Sequence, residues 1–240
     1  MSNSLKDVLN GVYNTVNLST TQTCVCNCCK IAMPQINYCE FLNIVTEYWN
    51  SAEQEDKLTV MQTCIDYFFK VQFEKYGIET LVKPCVFLNK IDNLCKIYEN
   101  RPVSCRMYGL WPKEEYESRV ARFEKAYSKF GLTKEDLPLH KQCDKVVRTD
   151  VSKELTKEII EKMYADLNKL DLKVGQFTEL QVEGGENKRT FHDWLLAMVF
   201  GERWLAMVST FMLSASREQI DDQILAIKTV LNDKKNELLN

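Results

Sequence analysis

The stretch YCEFLNIVTEYWNSAEQEDKLTVMQTCIDYFFKVQFEKY, Tyr38 to Tyr76, decides the class of fold. Phe41, Leu42, Val45 and Trp49, then Met61, Cys64, Ile65, Phe68 and Phe69, recur at the i, i+3, i+4, i+7 spacing that lines one face of an α-helix. Ser51 to Asp56 is polar and interrupts the pattern, so the spacing predicts two helices joined there. Working outward, amphipathic patterns predict further helices over Lys113 to Phe130, Lys153 to Leu170, Thr190 to Ser214 and Arg217 to Leu239, with Thr190 and Ser216 as polar starts. The last of these carries the apolar stripe Ile220, Ile224, Ile227, Val230, Leu231. Only KVGQFTELQV, Lys173 to Val182, alternates like a strand, with Gly184-Gly185 behind it as a turn. Eight glycines and five prolines in 240 residues leave few turns, which argues against a sandwich or propeller and for a mainly α protein.

No internal repeat or low-complexity linker divides the chain, so residues 1–240 are expected to form a single domain. Within it, 19–147 is a cysteine-rich metal-binding part and 150–240 a helical subdomain. The expected architecture is a set of irregular cysteine-rich loops holding a metal centre and packed against a helical bundle.

Charge and hydropathy leave several function classes without support. With 31 basic and 34 acidic side chains the net charge is -3, so no cationic field indicates nucleic acid. FHDWLLAMVFGERWLAMVSTFML, Phe191 to Leu213, is the most apolar segment, but Asp193, Glu202 and Arg203 interrupt it. It reads as a buried helix or a helix pair kinked at Gly201, not a membrane span. Met1 to Val16 contains no apolar h-region of a signal peptide, so the expected compartment is a reducing cytoplasm. There, ten cysteines point to metal ligation or redox chemistry before a disulfide scaffold, and the expected partner is a protein or redox partner of unknown identity.

Two of the ten have a packing explanation. Cys64 lies on the apolar face with Met61, Ile65, Phe68 and Phe69, and Cys39 is flanked by Tyr38, Phe41 and Leu42. The other eight fall in the irregular segments Ser19 to Pro34, Val82 to Pro112 and Leu137 to Val147. Cys24-Val25-Cys26-Asn27-Cys28-Cys29 puts four thiols in six residues. On an extended chain, alternate thiols stand about 6.6 Å apart, whereas a tetrahedral zinc with ~2.3 Å bonds wants its sulfurs about 3.8 Å apart. A 4Fe–4S core gives each thiolate its own iron and tolerates the wider spacing, so the pattern leans to an iron–sulfur cluster, with zinc the alternative. Cys85, Cys95 and Cys105 follow at intervals of ten, separated by the turn formers Asp92-Asn93 and Asn100 to Pro102. Four thiolates leave a centre with net charge of about -2, which Arg101 and Arg106 are placed to offset as cofactor-binding residues.

The candidate ligands are therefore Cys24, Cys26, Cys28, Cys29, Cys85, Cys95, Cys105 and Cys143. They would serve one centre, or two if Cys28 and Cys29 point to opposite sides. His140 could add a nitrogen, His192 reads as structural or capping, and Tyr98, Tyr108 and Trp111 would form a dry wall.

The run Pro84-Cys85-Val86-Phe87-Leu88, then Cys95-Lys96-Ile97-Tyr98-Glu99-Asn100-Arg101-Pro102-Val103-Ser104-Cys105-Arg106, resembles the YkgJ-type cysteine-cluster family with its CxxCxxCC motif. The similarity covers about Thr23 to Pro112. Where the family has Cys-x-x-Cys-x-x-Cys-Cys, this chain has Cys24-x-Cys26-x-Cys28-Cys29. The resemblance implies chelation of zinc or iron. It also brings in a protein-modifying, methyltransferase-like enzyme, since flagellin lysine N-methylase carries this kind of motif. That activity has no support in the residues, because no glycine-rich loop follows a strand.

Overall fold

The computed structural model describes residues 4–14, 16, 18–20, 27–30, 33–108, 110, 112–132, 146–148, 155–175 and 188–233. Helix α1, Leu5–Tyr13, starts at a capping box in which the Ser4 hydroxyl accepts from the Asp7 N–H and the Asp7 carboxylate accepts from the Ser4 N–H. Strand β1, Leu18–Thr20, pairs antiparallel with β3, Val146–Arg148. Strand β2, Gln35–Asn37, runs straight into α2, Tyr38–Trp49. The expected polar break then gives α3, Gln54–Phe69, followed by the short α4, Phe73–Tyr76. Beyond an irregular segment come α5, Val103–Arg106, α6, Lys113–Ser128, and α7, Lys157–Gly175. Strand β4, Lys188–Thr190, leads into α8, Phe191–Phe200, then α9, Glu202–Ser214, and α10, Arg217–Asp233. The fold is mainly α.

The antiparallel pairing of β2 with β4 sets Ile36 opposite Arg189 and so places the starts of α2 and α8 side by side. Tyr38 and Trp194 approach to 5.0 Å between ring centroids, Phe41 and Phe191 to 5.4 Å, and the Trp194 indole donates to the Ile36 carbonyl at 3.1 Å. Around this aromatic seam α3, α8, α9 and α10 enclose the main core, which includes Phe69, Leu195, Leu196 and Ile220. A second core joins α1, α2, α5 and α7 through Leu9, Tyr13, Cys39, Val103, Met107, Met163 and Leu167. Lys75 on α4 donates to the Met212 and Ala215 carbonyls at 2.8 and 2.7 Å, satisfying the C-terminal end of α9.

The apolar segment from Phe191 is a helix pair, bent by 115° at Gly201. Gly201 has φ of 86°, a left-handed value that glycine adopts without the cost of a Cβ. No single described helix is long and apolar enough to cross a membrane. One expectation changes. Lys173–Gly175, expected to begin a strand, form the last turn of α7 because Leu167 and Asp171 face the second core. Residues 176–182 lie outside the described set, as do 234–240 at the end of α10. Helix α1 and the four short strands are further elements that sequence periodicity does not announce.

Candidate metal centre

The cysteine-bearing segments are tied to one another and to the helical frame by hydrogen bonds. The turn Asn27–Lys30 carries Cys28 and Cys29, and the Cys29 carbonyl accepts the Cys85 N–H at 2.6 Å, joining the first motif to the second. The backbone just before Cys85 is fixed twice by Tyr67 of α3: its hydroxyl donates to the Pro84 carbonyl at 2.7 Å, and Lys83 donates back to the Tyr67 carbonyl at 2.9 Å. From Cys85 the chain makes a narrow hairpin in which Lys96 N–H reaches the Phe87 carbonyl at 2.8 Å and Asn89 N–H the Leu94 carbonyl at 2.9 Å. Its tip is a set of Asx turns. Asn89 Oδ1 accepts from Ile91 N–H, Asp92 Oδ1 from Leu94 N–H, and Asn93 adopts a left-handed φ of 57° that asparagine tolerates. The hairpin sets Cys95 opposite Leu88, and the Cys29 thiol reaches both Cys85 and Cys95. A 3-10 turn, Tyr98–Asn100, and Pro102 then lead into α5, which carries Cys105.

Five described thiols converge. Cys28 and Cys29 Sγ atoms stand 3.8 Å apart. The Cys29 thiol also lies within hydrogen-bonding reach of Cys85 and Cys95, and the Cys28 contact first, then these two, push its pKa far up. Cys28 is lowered to about 7, first by the Cys29 thiol, and Cys95 is lowered by the same neighbour, with Arg101 assisting both. Burial pushes Cys105 well up, charge on Cys85, Cys28 and Cys95 adds to this, and Arg101 opposes it. Cys28, Cys29, Pro34, Cys85, Ser104, Cys105 and Tyr108 line a cavity of about 60 Å³. The Ser104 hydroxyl in that wall is buried with no hydrogen-bond partner among the described residues.

The two arginines divide their work. Arg101 stacks over the Tyr98 ring at 3.6 Å, donates to the Tyr98 carbonyl, and acts electrostatically on the thiols. Arg106 instead binds the Arg101 and Glu99 carbonyls at 2.8 and 2.6 Å and lies over the Tyr13 ring. It braces the loop. Cys39 and Cys64 are fully buried away from the cavity, Cys64 on the α3 core face and Cys39 against α7, where its N–H donates to Asp171. His192 is buried against Tyr67 while Thr190 caps α8. Cys24, Cys26, Cys143, His140 and Trp111 lie outside the described residues.

The converging thiols come from two separated motifs. Residues 20–126 match a family model described as "CxxCxxCC: Putative zinc- or iron-chelating domain". This segment is similar to that CxxCxxCC domain. It takes in both cysteine motifs and ends inside α6, so α7 to α10 lie beyond it. No curated protein and no solved structure matches the chain. The domain it resembles is described as zinc- or iron-chelating, and the donors that the described residues bring together here are thiols. Sequence reasoning missed the supports, namely Tyr67, Lys83, Phe87, Ser104 and Glu40. Glu40 alone left a signal: it falls three residues after Asn37, the spacing of a capping box.

Proposed function

We propose that this protein is an iron–sulfur protein whose CxxCxxCC domain holds a 4Fe–4S cluster through four thiolates drawn from Cys28, Cys29, Cys85, Cys95 and Cys105. Cys24, Cys26 and Cys143 are the remaining candidate ligands. The cavity carries this reading. A single water needs roughly 10–15 Å³ of such space, so about 60 Å³ bordered by four cysteines provides room for a multi-atom core. The unpartnered Ser104 hydroxyl fits as well, because cluster and thiolate sulfurs accept hydrogen bonds. When bound, such a cluster supplies one-electron transfer at a potential set by its hydrogen bonds and burial. The chain's own residues then have defined tasks. Arg101 offsets thiolate charge, Tyr108 and Pro34 limit water, and Tyr67 and the Phe87 hairpin fix the spacing of Cys85 and Cys95. Electron transfer, redox sensing or chemistry at an open iron are the roles open to it, in a reducing compartment.

One observation favours a zinc-stapled interaction module instead. The 3.8 Å between Cys28 and Cys29 equals the sulfur–sulfur edge of a tetrahedral zinc site, about 3.8 Å for ~2.3 Å bonds. Strictly anaerobic purification from iron-replete cells, followed by iron, zinc and sulfide analysis and a visible spectrum, separates the two. About four irons and four sulfides per chain, with broad absorbance near ~400 nm, are expected. Colourless protein with stoichiometric zinc would overturn the iron–sulfur reading. Serine at Cys85, Cys95 or Cys105 is expected to lower bound metal sharply in each single variant, and full retention in all three would sink the ligand assignment.

A further inference from the structure

Glu40 stands at a point where three separate segments meet. It is 2 % exposed on the first turn of α2. Its Oε2 accepts the Asn37 N–H at 3.1 Å, and its Oε1 accepts both the Val103 N–H at 2.7 Å and the Tyr13 hydroxyl at 2.9 Å. Val103 is the first residue of α5, the four-residue helix that delivers Ser104 and Cys105 to the cavity. The first N–H groups of any helix lack intrahelical partners and are usually met by a side chain at the N-cap. Here the N-cap is Pro102, which has no such group. The cap is supplied instead by a carboxylate 63 residues away in the chain.

From this geometry we infer that Glu40 is a positioning residue for Cys105: its carboxylate fixes the start of α5 and thereby the placement of the Cys105 thiol at the cavity. The inference rests on the reading of Cys105 as a ligand. A carboxylate suits the place because all three neighbours are donors and both oxygens accept. Glutamine would turn an NH2 toward one of those donors. The fully buried Val103 side chain and Arg106, bound to the Glu99 and Arg101 carbonyls, hold the rest of the short helix. The Val103–Glu40 bond is therefore the contact that sets its register against α2.

The test uses the full chain, purified anaerobically, with metal content, visible spectrum, helix content and resistance to a chelator measured for each variant. Glu40→Gln removes one acceptor. Val103→Pro removes the N–H of the same bond and puts a ring of similar size where the buried valine side chain packs. Proline suits the first helical position, and Pro102 before it already has the extended φ of -66° and ψ of 163° that a residue preceding proline needs. Both variants are expected to keep their helix content, to lose metal to the chelator about tenfold faster, as loss of a ligand's hydrogen-bonded support typically does, and to show an altered visible spectrum. The double variant should be no worse than the more severe single, because both act on one bond. Leu167→Ala, in the same core but away from the cavity, should lower stability and leave the spectrum unchanged. Unaltered metal retention and spectrum in folded Glu40→Gln and Val103→Pro, alongside metal loss in Cys105→Ser, would overturn the role of Glu40 and leave the ligand reading standing. Full retention in Cys105→Ser would remove the ligand reading, and this inference with it. Fully additive losses in the double variant, or failure of both single variants to fold, would equally overturn it.

Discussion

Phe87 lies between the two cysteines of the hairpin and is the residue through which the hairpin grips the core. It is 2 % exposed, its ring meets Phe191 at 4.6 Å and Tyr48 at 5.1 Å, both edge-on, and its carbonyl holds the returning strand through Lys96. Phe87→Ala removes the buried ring and leaves a cavity, at a cost of about 3–5 kcal/mol. Edge-on aromatic pairs are worth roughly 0.5–1.5 kcal/mol each beyond area, and that loss sits inside the total. Against an ordinary stability of about 5–15 kcal/mol the variant is expected to fold but to be much weakened. Phe87→Leu keeps most of the apolar volume and should cost about 1–2 kcal/mol. Urea denaturation of metal-free reduced protein measures both numbers, and maleimide labelling under native conditions locates the effect. Cys85 and Cys95 should label faster in Phe87→Ala, while Cys39 and Cys64 stay protected. A loss below about 1 kcal/mol, or faster labelling of Cys64 with no change at Cys85 and Cys95, would refute the view that this ring anchors the cysteine hairpin.

Cys64→Ala should leave metal content intact and cost about 1 kcal/mol through a small cavity, since Cys64 is fully buried on the α3 core face; metal analysis and urea melts check both. Burial holds His192 at a pKa of about 4, with positive Lys83 also pushing down and Asp193 opposing, so the folded state keeps the ring neutral where the unfolded state takes up a proton. Its contribution to stability is complete above pH ~6.5 and is lost as pH falls toward 4, by up to about 3 kcal/mol. The urea midpoint should drop over that window in the parent and much less in His192→Gln. Gly201→Ala forces a Cβ onto a φ of 86°, where nothing nearby would clash with it, so its cost is backbone strain of about 1–3 kcal/mol, read as a lower melting temperature.

Much of the fold is legible because helix formation leaves a local record. The i, i+3, i+4 pattern of Phe41 to Phe69 and the polar break at Ser51 to Asp56 give α2 and α3 within a few residues, and the interruption of Phe191 to Leu213 at Gly201 marks the corner between α8 and α9. Cys64 and Cys39 are assigned to the core for the same reason, since their neighbours repeat with the helix period. Helix α1 is harder to see, because Leu5, Leu9 and Tyr13 make a short stripe among polar residues. The strands of three residues are shorter than any alternation can reveal, and each depends on a partner far along the chain.

The sequence by itself therefore determined the helical class, the two cysteine motifs and their sulfur chemistry, because composition, periodicity and thiol spacing are properties of neighbouring residues. Only the tertiary structure decided which thiols meet, that Arg101 acts on them electrostatically while Arg106 braces the loop, and that Tyr67, Phe87 and Glu40 hold the arms. Those facts rest on contacts across long separations, such as Cys29 to Cys85 and Glu40 to Val103. Such contacts form only when burial of two distinct cores overcomes the entropy of closing the loops between them, and that balance leaves no pattern in any single stretch of chain.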